Sequence, residues 1–466
     1  MMLAVVAHCL LAYQLQRTQT TALLGTFAIL WVVFFFQLKW QQWSSGQIIA
    51  FGMVLRMVYL VSMPALSDDV FRYLWDGHLT LIGTSPFAQL PSEFMQQPRS
   101  QVFHQLLSLL NSPNYYSIYP PFMQALFAMA AKIGGNSIFG SIVALRVFIL
   151  LVEFASLWLL QKLLRAWKLP IAGLALYALN PLVIAEFTGN LHTEAFMVFF
   201  LVASVWFLSR ANLFLENVNL SEGMTTHGSS SSPPREGEWP QAEGVKYLTL
   251  SGVTLGLAIA VKLLPLMLLP LFIWPLGWRK AMVFGSIAVV TVVCTFLPFL
   301  TTEMLPNMAT SAKLYYATFE FNASIYYLIR QVGFWVKGYN IIASTAVWLP
   351  RIVFVGILAV AFFHRQRSVR CLPLLFMFAF SIFYAMANTV HPWYVASIAT
   401  FLPFVSVRYP LVLMVLLPLS YHAYASPQYH EQLWLVAIEY LPAYAWAFYE
   451  LVLKKNSEAP TADARL

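Results

Sequence analysis

Two adjacent carboxylates open the most reactive-looking stretch of the chain, Ser67-Asp68-Asp69-Val70-Phe71-Arg72-Tyr73-Leu74-Trp75-Asp76-Gly77. They follow an apolar run directly, which sets them at a membrane–water boundary. A carboxylate partly withdrawn from water has a raised pKa and can take a proton from a hydroxyl. On a helix Asp69 and Arg72 share a face, so Arg72 is expected to hold Asp69 and tune its charge. Asp76 lies two turns beyond Asp69. A second role competes for the same residues: Ser and Asp cap helices well, so either aspartate could cap the helix that follows. One aspartate can cap while the other works, and both readings stay open here.

Other polar groups stand out because they are embedded in apolar sequence. Lys262, in AVKLLPL, has no carboxylate near it in sequence. A lysine at membrane depth costs about 2.5–3.5 kcal/mol, so it is expected to face a cavity or an anion rather than lipid. Arg330 closes an apolar-aromatic stretch and is a second anion-binding candidate. His192 in GNLHTEA and His391 in NTVHPWY each sit at a span end, with Glu186 and Glu194 near the first. Neither histidine has H-x-x-x-H or H-E-x-x-H spacing, so hydrogen bonding to a polar ligand is expected and no metal site is assigned. Arg146 and Glu153, seven apart, are expected to form a structural ion pair. Gly83-Thr84-Ser85-Pro86-Phe87 reads as a turn, and Tyr119-Pro120-Pro121 as a helix start. The two anchor the ends of one loop, and Tyr119 is the substrate-side candidate there.

The elements that position these groups follow from composition. Of 466 residues 60% are hydrophobic and only 10% charged, whereas a soluble domain carries charge on about a quarter of its positions. The bilayer is therefore the solvent. The expected fold is all-α, a polytopic transmembrane helical bundle of about 12–14 spans, with short amphipathic helices in the first outer loop. The net charge of +8 comes from basic residues at span ends, a pattern of topology and not of nucleic-acid binding. Cys9, Cys294 and Cys371 are too scattered for a disulfide framework or metal site. Met1–Tyr13 lacks a basic n-region and an A-x-A site, so it is expected to remain as a span.

The apolar stretches divide the chain into N-terminal spans 1–66, an outer catalytic loop 67–117, core spans 118–209, a disordered cytoplasmic linker 210–245, C-terminal spans 246–453 with a second outer loop 301–340, and a cytoplasmic tail 454–466. Placing Lys162/Arg165/Lys168, Arg279/Lys280, Arg365/Arg367/Arg370, Arg408 and Lys454/Lys455 in the cytoplasm, with Lys39, Arg210, Arg235, Lys246 and Arg465, puts 16 of the 27 basic residues inside, as the positive-inside rule asks. Loop 67–117 is then outside only if one crossing separates it from Lys162. Either 118–133 is re-entrant or interfacial, or the basic residues after 160 break the rule.

SDDVFRYLWDG, GTSPF, YPPF, ALNPLVIAEFTGNLH, KLLPL, FNASIYYLIR and HPWY occur in this order over residues 67–394. This series resembles the GT-C superfamily of polytopic glycosyltransferases, in particular the polyprenyl-phosphate-mannose-dependent mannosyltransferases of the glycosyltransferase family 87 type. The resemblance covers most of the chain and is most specific in the acidic motif. It implies a catalytic base in the first outer loop, a role that falls on Asp69 with Asp68 in reserve, because the two acids are contiguous here. It also implies contacts from Lys262, Arg330 and His391 to a lipid phosphate. The implied partners are a polyprenyl-phosphate-linked sugar donor, a glycan or lipid acceptor and membrane lipids, at the cell inner membrane with the site on its outer face. No cofactor is expected: a cationic cradle can neutralise the phosphate, although paired aspartates could also bind Mg²⁺ or Mn²⁺. The rival reading is a lipid-oligosaccharide flippase, whose charges would line a path at the midplane.

Overall fold

Long apolar stretches must satisfy their own backbone hydrogen bonds in lipid, and helices do so. The computed structural model describes residues 1–40, 42–224, 238–426 and 428–454. Among these the chain is a bundle of helices with a single isolated bridge, Phe321 to Thr389. The helices run α1 (Met2–Tyr13), α2 (Thr20–Trp40), α3 (Ser45–Met57), α4 (Asp69–Leu81), α5 (Pro91–Phe94), α6 (Gln101–Leu109), α7 (Pro121–Gly134) and α8 (Ile138–Ala166). Then follow α9 (Ile171–Ala178), α10 (Pro181–Gly189), α11 (Glu194–Met224), α12 (Glu238–Val261), α13 (Leu264–Leu276) and α14 (Trp278–Phe299). The last seven are α15 (Met304–Thr318), α16 (Ile325–Lys337), α17 (Ile342–Phe363), α18 (Val369–Met386), α19 (Pro392–Ala396), α20 (Tyr409–Tyr424) and α21 (Leu433–Phe448).

Among the described residues seven helices are long and apolar enough to cross a membrane (α2, α8, α14, α17, α18 and the apolar parts of α11 and α12), and α9 with α10, bent by 44°, makes an eighth if the pair is one broken span. Helices α1, α3, α13 and α20 are apolar but shorter. Proline and asparagine explain the breaks. Asn180 caps α10 by accepting from the Leu182 and Val183 amides at 3.0 and 3.3 Å, and Pro181 starts it without needing a donor. Pro265 and Pro270 tighten most of α13 into 3₁₀ geometry. Helix α7, at 14 residues, is about 21 Å long, shorter than the hydrocarbon core of about 30 Å.

Small residues bring the helices together, as membrane packing requires. Ser204 of α11 and Ser251 of α12 each donate to the other's carbonyl at 2.9 and 2.8 Å. A Cβ on Gly77 of α4 would lie 2.4 Å from the Phe127 carbonyl oxygen of α7, so those two backbones touch. Helices α4, α5 and α6 are the short elements expected in the first outer loop; α6 buries Val102, Phe103 and Leu106 on one face. Helix α11 continues through Met224 and α12 begins at Glu238, so both ends of the expected 210–245 linker are helical. Its centre, and residues 455–466 of the expected tail, lie outside the described residues.

The buried charges of the bundle are paired differently from the expected Arg146–Glu153 pair. Glu153 accepts from Arg56 Nε at 2.8 Å and from the Tyr177 hydroxyl at 2.6 Å. Arg146 instead donates to four backbone carbonyls: Leu60, Ser62, Thr188 and Gly189, at 2.6–3.1 Å. The reason is local. The chain leaves helical geometry after α3 and again at the end of α10, which orphans carbonyls in the interior, and a guanidinium with five donors satisfies several at once. Arg146 thereby ties together the two segments that lead into Asp68-Asp69 and into His192.

Candidate active site

The start of α4 decides what each acid does. Ser67 Oγ accepts from the Asp69 amide at 3.3 Å, so the serine meets the helix end and neither aspartate side chain caps it. Asp68 accepts from Arg17, in the α1–α2 connection, at 2.6 Å. The Arg17 guanidinium lies 4.8 Å over the Tyr424 ring, so the pair joins three parts of the chain. Among the described residues Asp69 has a single long hydrogen bond, from Asn111 Nδ2 at 3.5 Å.

Arg72 does not hold Asp69, contrary to the expectation from their spacing. Its Nε donates to Asp76 at 2.8 Å, one turn further on, and Nη1 donates to the Ser112 and Tyr115 carbonyls at 3.3 and 2.7 Å. Asp76, fully buried, also accepts from Ser117 Oγ and from Gln124 Nε2 at 3.3 Å. The i, i+4 partner wins because it lies deeper, where an unpaired carboxylate would cost most. Arg72 and Asp76 therefore fasten the returning arm of the loop to α4 and α7. Tyr119 belongs to the same wall: its ring meets Tyr73 edge-on at 4.9 Å, and Tyr73 stacks on Phe127 at 4.6 Å.

The α10–α11 junction supplies a second group of residues near Asp69. Asn190 Oδ1 accepts from the Leu66 amide at 3.1 Å, fixing the approach to the acidic motif. Leu191, buried, sits at φ +60°, a conformation costly for a residue with a Cβ. That turn, preceded by π-helical geometry over Ile184–Gly189, carries His192 into the interior. His192 stacks on the Trp393 indole at 3.8 Å, and His391 stacks on the same indole at 4.2 Å. Phe321 stacks on His391 at 4.5 Å. Its position is set by the bridge, in which the Val390 amide donates to the Phe321 carbonyl at 2.8 Å. His192 Nε2 is 3.4 Å from Glu186 Oε2, but without hydrogen-bond geometry. Both His192 ring nitrogens and His391 Nδ1 are buried with no protein group hydrogen-bonded to them.

Lys262 has a carboxylate partner after all. Its ammonium bonds Glu194 Oε1 at 2.5 Å and lies 3.7 Å over the Tyr394 ring. Glu194 is 68 positions away in sequence and reaches it only through the packing of α11 on α12, so local sequence could not show the pair. Arg330 lies in a second cluster: it pairs with Glu320 and sits 4.2 Å over the Tyr327 ring. There Glu431 accepts from the Tyr327 hydroxyl and the Asn322 amide.

These groups act on Asp69 together. Burial raises its carboxyl pKa above the ordinary 3.8; His192 and Lys262 pull it down, Glu194 pushes it up, and the Asn111 hydrogen bond lowers it. The structure thus brings Asp69, His192 and Lys262 into one electrostatic neighbourhood, with His391 joined to it through Trp393. Glu194, Trp393, Asn190, Asn111 and Arg17 complete the setting. Of these, Glu194, Asn190 and Trp393 lie in the stretches around His192 and His391, whereas nothing in the sequence ties Asn111 or Arg17 to them. No three His, Cys, Asp or Glu side chains among the described residues converge as metal ligands.

Known proteins share parts of this chain. A family model described as alpha-(1->6)-mannopyranosyltransferase, N-terminal domain, matches residues 3–277. Alpha-(1->6)-mannopyranosyltransferase B of Corynebacterium glutamicum is 27% identical over 147 residues, 31% of this chain and 24% of that protein. A probable alpha-(1->6)-mannopyranosyltransferase of Mycolicibacterium smegmatis is 22% identical over 286 residues, 60% of this chain and 48% of its own length. The chain thus spans less than half the length of either relative. Among solved structures, the apo oligosaccharyltransferase of Archaeoglobus fulgidus aligns with 91% of this chain and 59% of its own, at 14% identity and a TM-score of 0.40. The archaeal oligosaccharyltransferase from the same organism, in complex with an inhibitory peptide and a dolichol-phosphate, aligns with 91% and 57%, at 13% identity and a TM-score of 0.41. The family match covers more than half of the sequence, and the chain belongs to the alpha-(1->6)-mannopyranosyltransferase N-terminal-domain family.

Proposed function

We propose that this protein transfers a mannosyl residue from a polyprenyl-phosphate donor to a glycan or lipid-linked acceptor, with inversion, on the extracytoplasmic face of the cell inner membrane. Asp69 is the general base. The observation that carries this reading is the unequal commitment of the three acids in one motif. Asp68 is held by Arg17 and Asp76 by three donors, while Asp69 keeps one long bond and a raised proton affinity.

The acceptor hydroxyl passes its proton to an Asp69 oxygen as its own oxygen bonds the anomeric carbon. The bond from that carbon to the phosphate oxygen breaks on the opposite face, through an oxocarbenium-like transition state. The departing group is a phosphate of low basicity, so no carboxylic acid has to protonate it. Lys262 stabilises its growing charge, and His192 and His391 offer ring nitrogens with no protein hydrogen-bond partner toward the substrate. One base and one displacement give inversion. The outer-face placement rests on the positive-inside assignment of the loop lysines and arginines.

The test uses full-length protein in proteoliposomes with a synthetic polyprenyl-phospho-mannose and a mannoside acceptor. Asp69→Asn is expected to lower turnover by about 10²–10⁴-fold, the usual contribution of a general base, with folding intact. Retained turnover in that variant, or passage of unaltered lipid-linked sugar across the membrane, would overturn the reading.

A further inference from the structure

We infer that Glu194 releases the spent donor: it competes with the product phosphate for Lys262 and reclaims the lysine after transfer. This rests on the reading that Lys262 faces a lipid phosphate, and it adds a role for a carboxylate outside the acidic motif. The Lys262–Glu194 pair has one fixed and one mobile member. Glu194 is the first residue of α11, with its side chain 3% exposed, whereas Lys262 follows the end of α12 with its side chain 32% exposed. A four-carbon stem lets the ammonium swing, and Tyr394 beneath it, at 3.7 Å, favours a cation at this place.

The chemistry of the reaction makes such a competitor useful. A glycosyl phosphodiester carries one negative charge at its phosphate. Once the sugar leaves, the product is a phosphomonoester with a charge of about −1.5 to −2 at neutral pH. An unopposed ammonium would therefore grip the product harder than the donor, and release would limit turnover. A carboxylate already within 2.5 Å of the same nitrogen offers it a partner that need not diffuse in. Asp69 and Glu186, the other acids near His192, make no ion pair with Lys262 in this structure, so Glu194 is the carboxylate in position to compete.

The experiment titrates a short-chain polyprenyl phosphate into the full-length protein in nanodiscs, by calorimetry, alongside thermal unfolding as a check of folding. Glu194→Gln is expected to bind about five- to tenfold more tightly than the parent, about 1–1.4 kcal/mol, and Lys262→Gln more weakly. In the Lys262→Gln background, Glu194→Gln should bring no gain. Glu194→Asp, which retracts the carboxylate by one carbon, should shift affinity in the same direction by about two- to threefold, and serves if the glutamine variant does not fold. In the transfer assay Glu194→Gln should lose more in steady-state turnover than in a single turnover, with stronger inhibition by product. Unchanged or weaker binding in folded Glu194 variants overturns the inference, as does a gain that survives loss of Lys262. These affinities need no turnover, so they stand or fall apart from Asp69. A parent protein that does not bind polyprenyl phosphate at all removes the reading of the donor as well.

Discussion

Asp76 is the acid of the motif that should matter for the fold and not for the chemistry, and Asp76→Ala separates the two. The carboxylate is fully buried and accepts from Arg72 Nε, Ser117 Oγ and Gln124 Nε2. Arg72 is only 4% exposed and its Nη2 already has no hydrogen-bonded partner. Deleting Asp76 therefore strands a guanidinium that keeps only the Ser112 and Tyr115 carbonyls. Breaking a buried pair from one side costs about 3–5 kcal/mol, most of it the penalty on the partner left behind. In a chain of this size that corresponds to a drop in unfolding temperature on the order of 5 °C, read by thermal unfolding in detergent. The return arm at 112–117 should come loose first, since Arg72 and Asp76 hold it at three points. Protease nicking or hydrogen exchange in that arm would show it. The double variant Arg72→Met with Asp76→Leu removes both charges and should recover most of the lost stability. An Asp76→Ala protein that unfolds within 1 °C of the parent would refute this account. So would a folded Asp76→Asn protein, equally stable, whose turnover collapses as Asp69→Asn is expected to.

Three further outcomes follow from the same geometry. Asp68→Asn loses an ion pair whose side chains are 29% and 33% exposed, worth at most about 1 kcal/mol once screened by solvent. It should keep activity within about fivefold, and a loss as large as that of Asp69→Asn would exchange their roles. Because burial raises Asp69 above 3.8, the proposed base is protonated over a wider acidic range. The acidic limb of the pH–rate profile should accordingly lie above the ordinary aspartate value, with activity rising as pH passes through it; a limb at or below that value speaks against Asp69. Gly77→Ala would press a methyl against the Phe127 carbonyl at 2.4 Å, forcing α4 and α7 apart at about 1–3 kcal/mol, measurable as a lowered unfolding temperature.

What the sequence could show here depended on distance along the chain. The membrane character, the helical bundle and the short helices of the 67–117 loop were readable because each is encoded within about twenty residues. Roles that need a partner from afar were not. Arg72 looked paired with Asp69 by helical spacing, and depth redirected it to Asp76. Lys262 looked unpaired because Glu194 precedes it by 68 positions, and Arg146 looked bound to Glu153 when irregular backbone had a stronger claim on it. Helix continuity is hidden for a related reason: an apolar stretch reads the same whether it forms one long helix or, like α9 and α10, two short ones bent by 44°. The stack of His192, Trp393 and His391 was half visible, as two histidines at span ends. Nothing in GNLHTEA says that its imidazole will meet HPWY.

The distribution of charge around Asp69 bears on how such a site can bind an anion at all. Sequence reading supplied two cations for the phosphate; in the structure Lys262, near Asp69, is already paired with Glu194, and Arg330 lies in the second cluster, paired with Glu320. A site with its cations pre-paired binds an anion more weakly than one with bare ammonium groups, because each new contact displaces an existing one. For a lipid-linked substrate this is an advantage. On the proposed function, the donor's polyprenyl chain would stay in the bilayer and bring its head group to the protein surface at high local concentration, so affinity from charge would not limit encounter. What remains to be supplied is orientation, and buried imidazoles stacked on a fixed indole supply it with little entropy to lose. On this argument Trp393→Leu, which removes the surface on which both histidines lie, should raise KM for the donor and lower kcat together. Loss of Lys262 alone should act mainly on the donor's KM and on the step in which the phosphate departs.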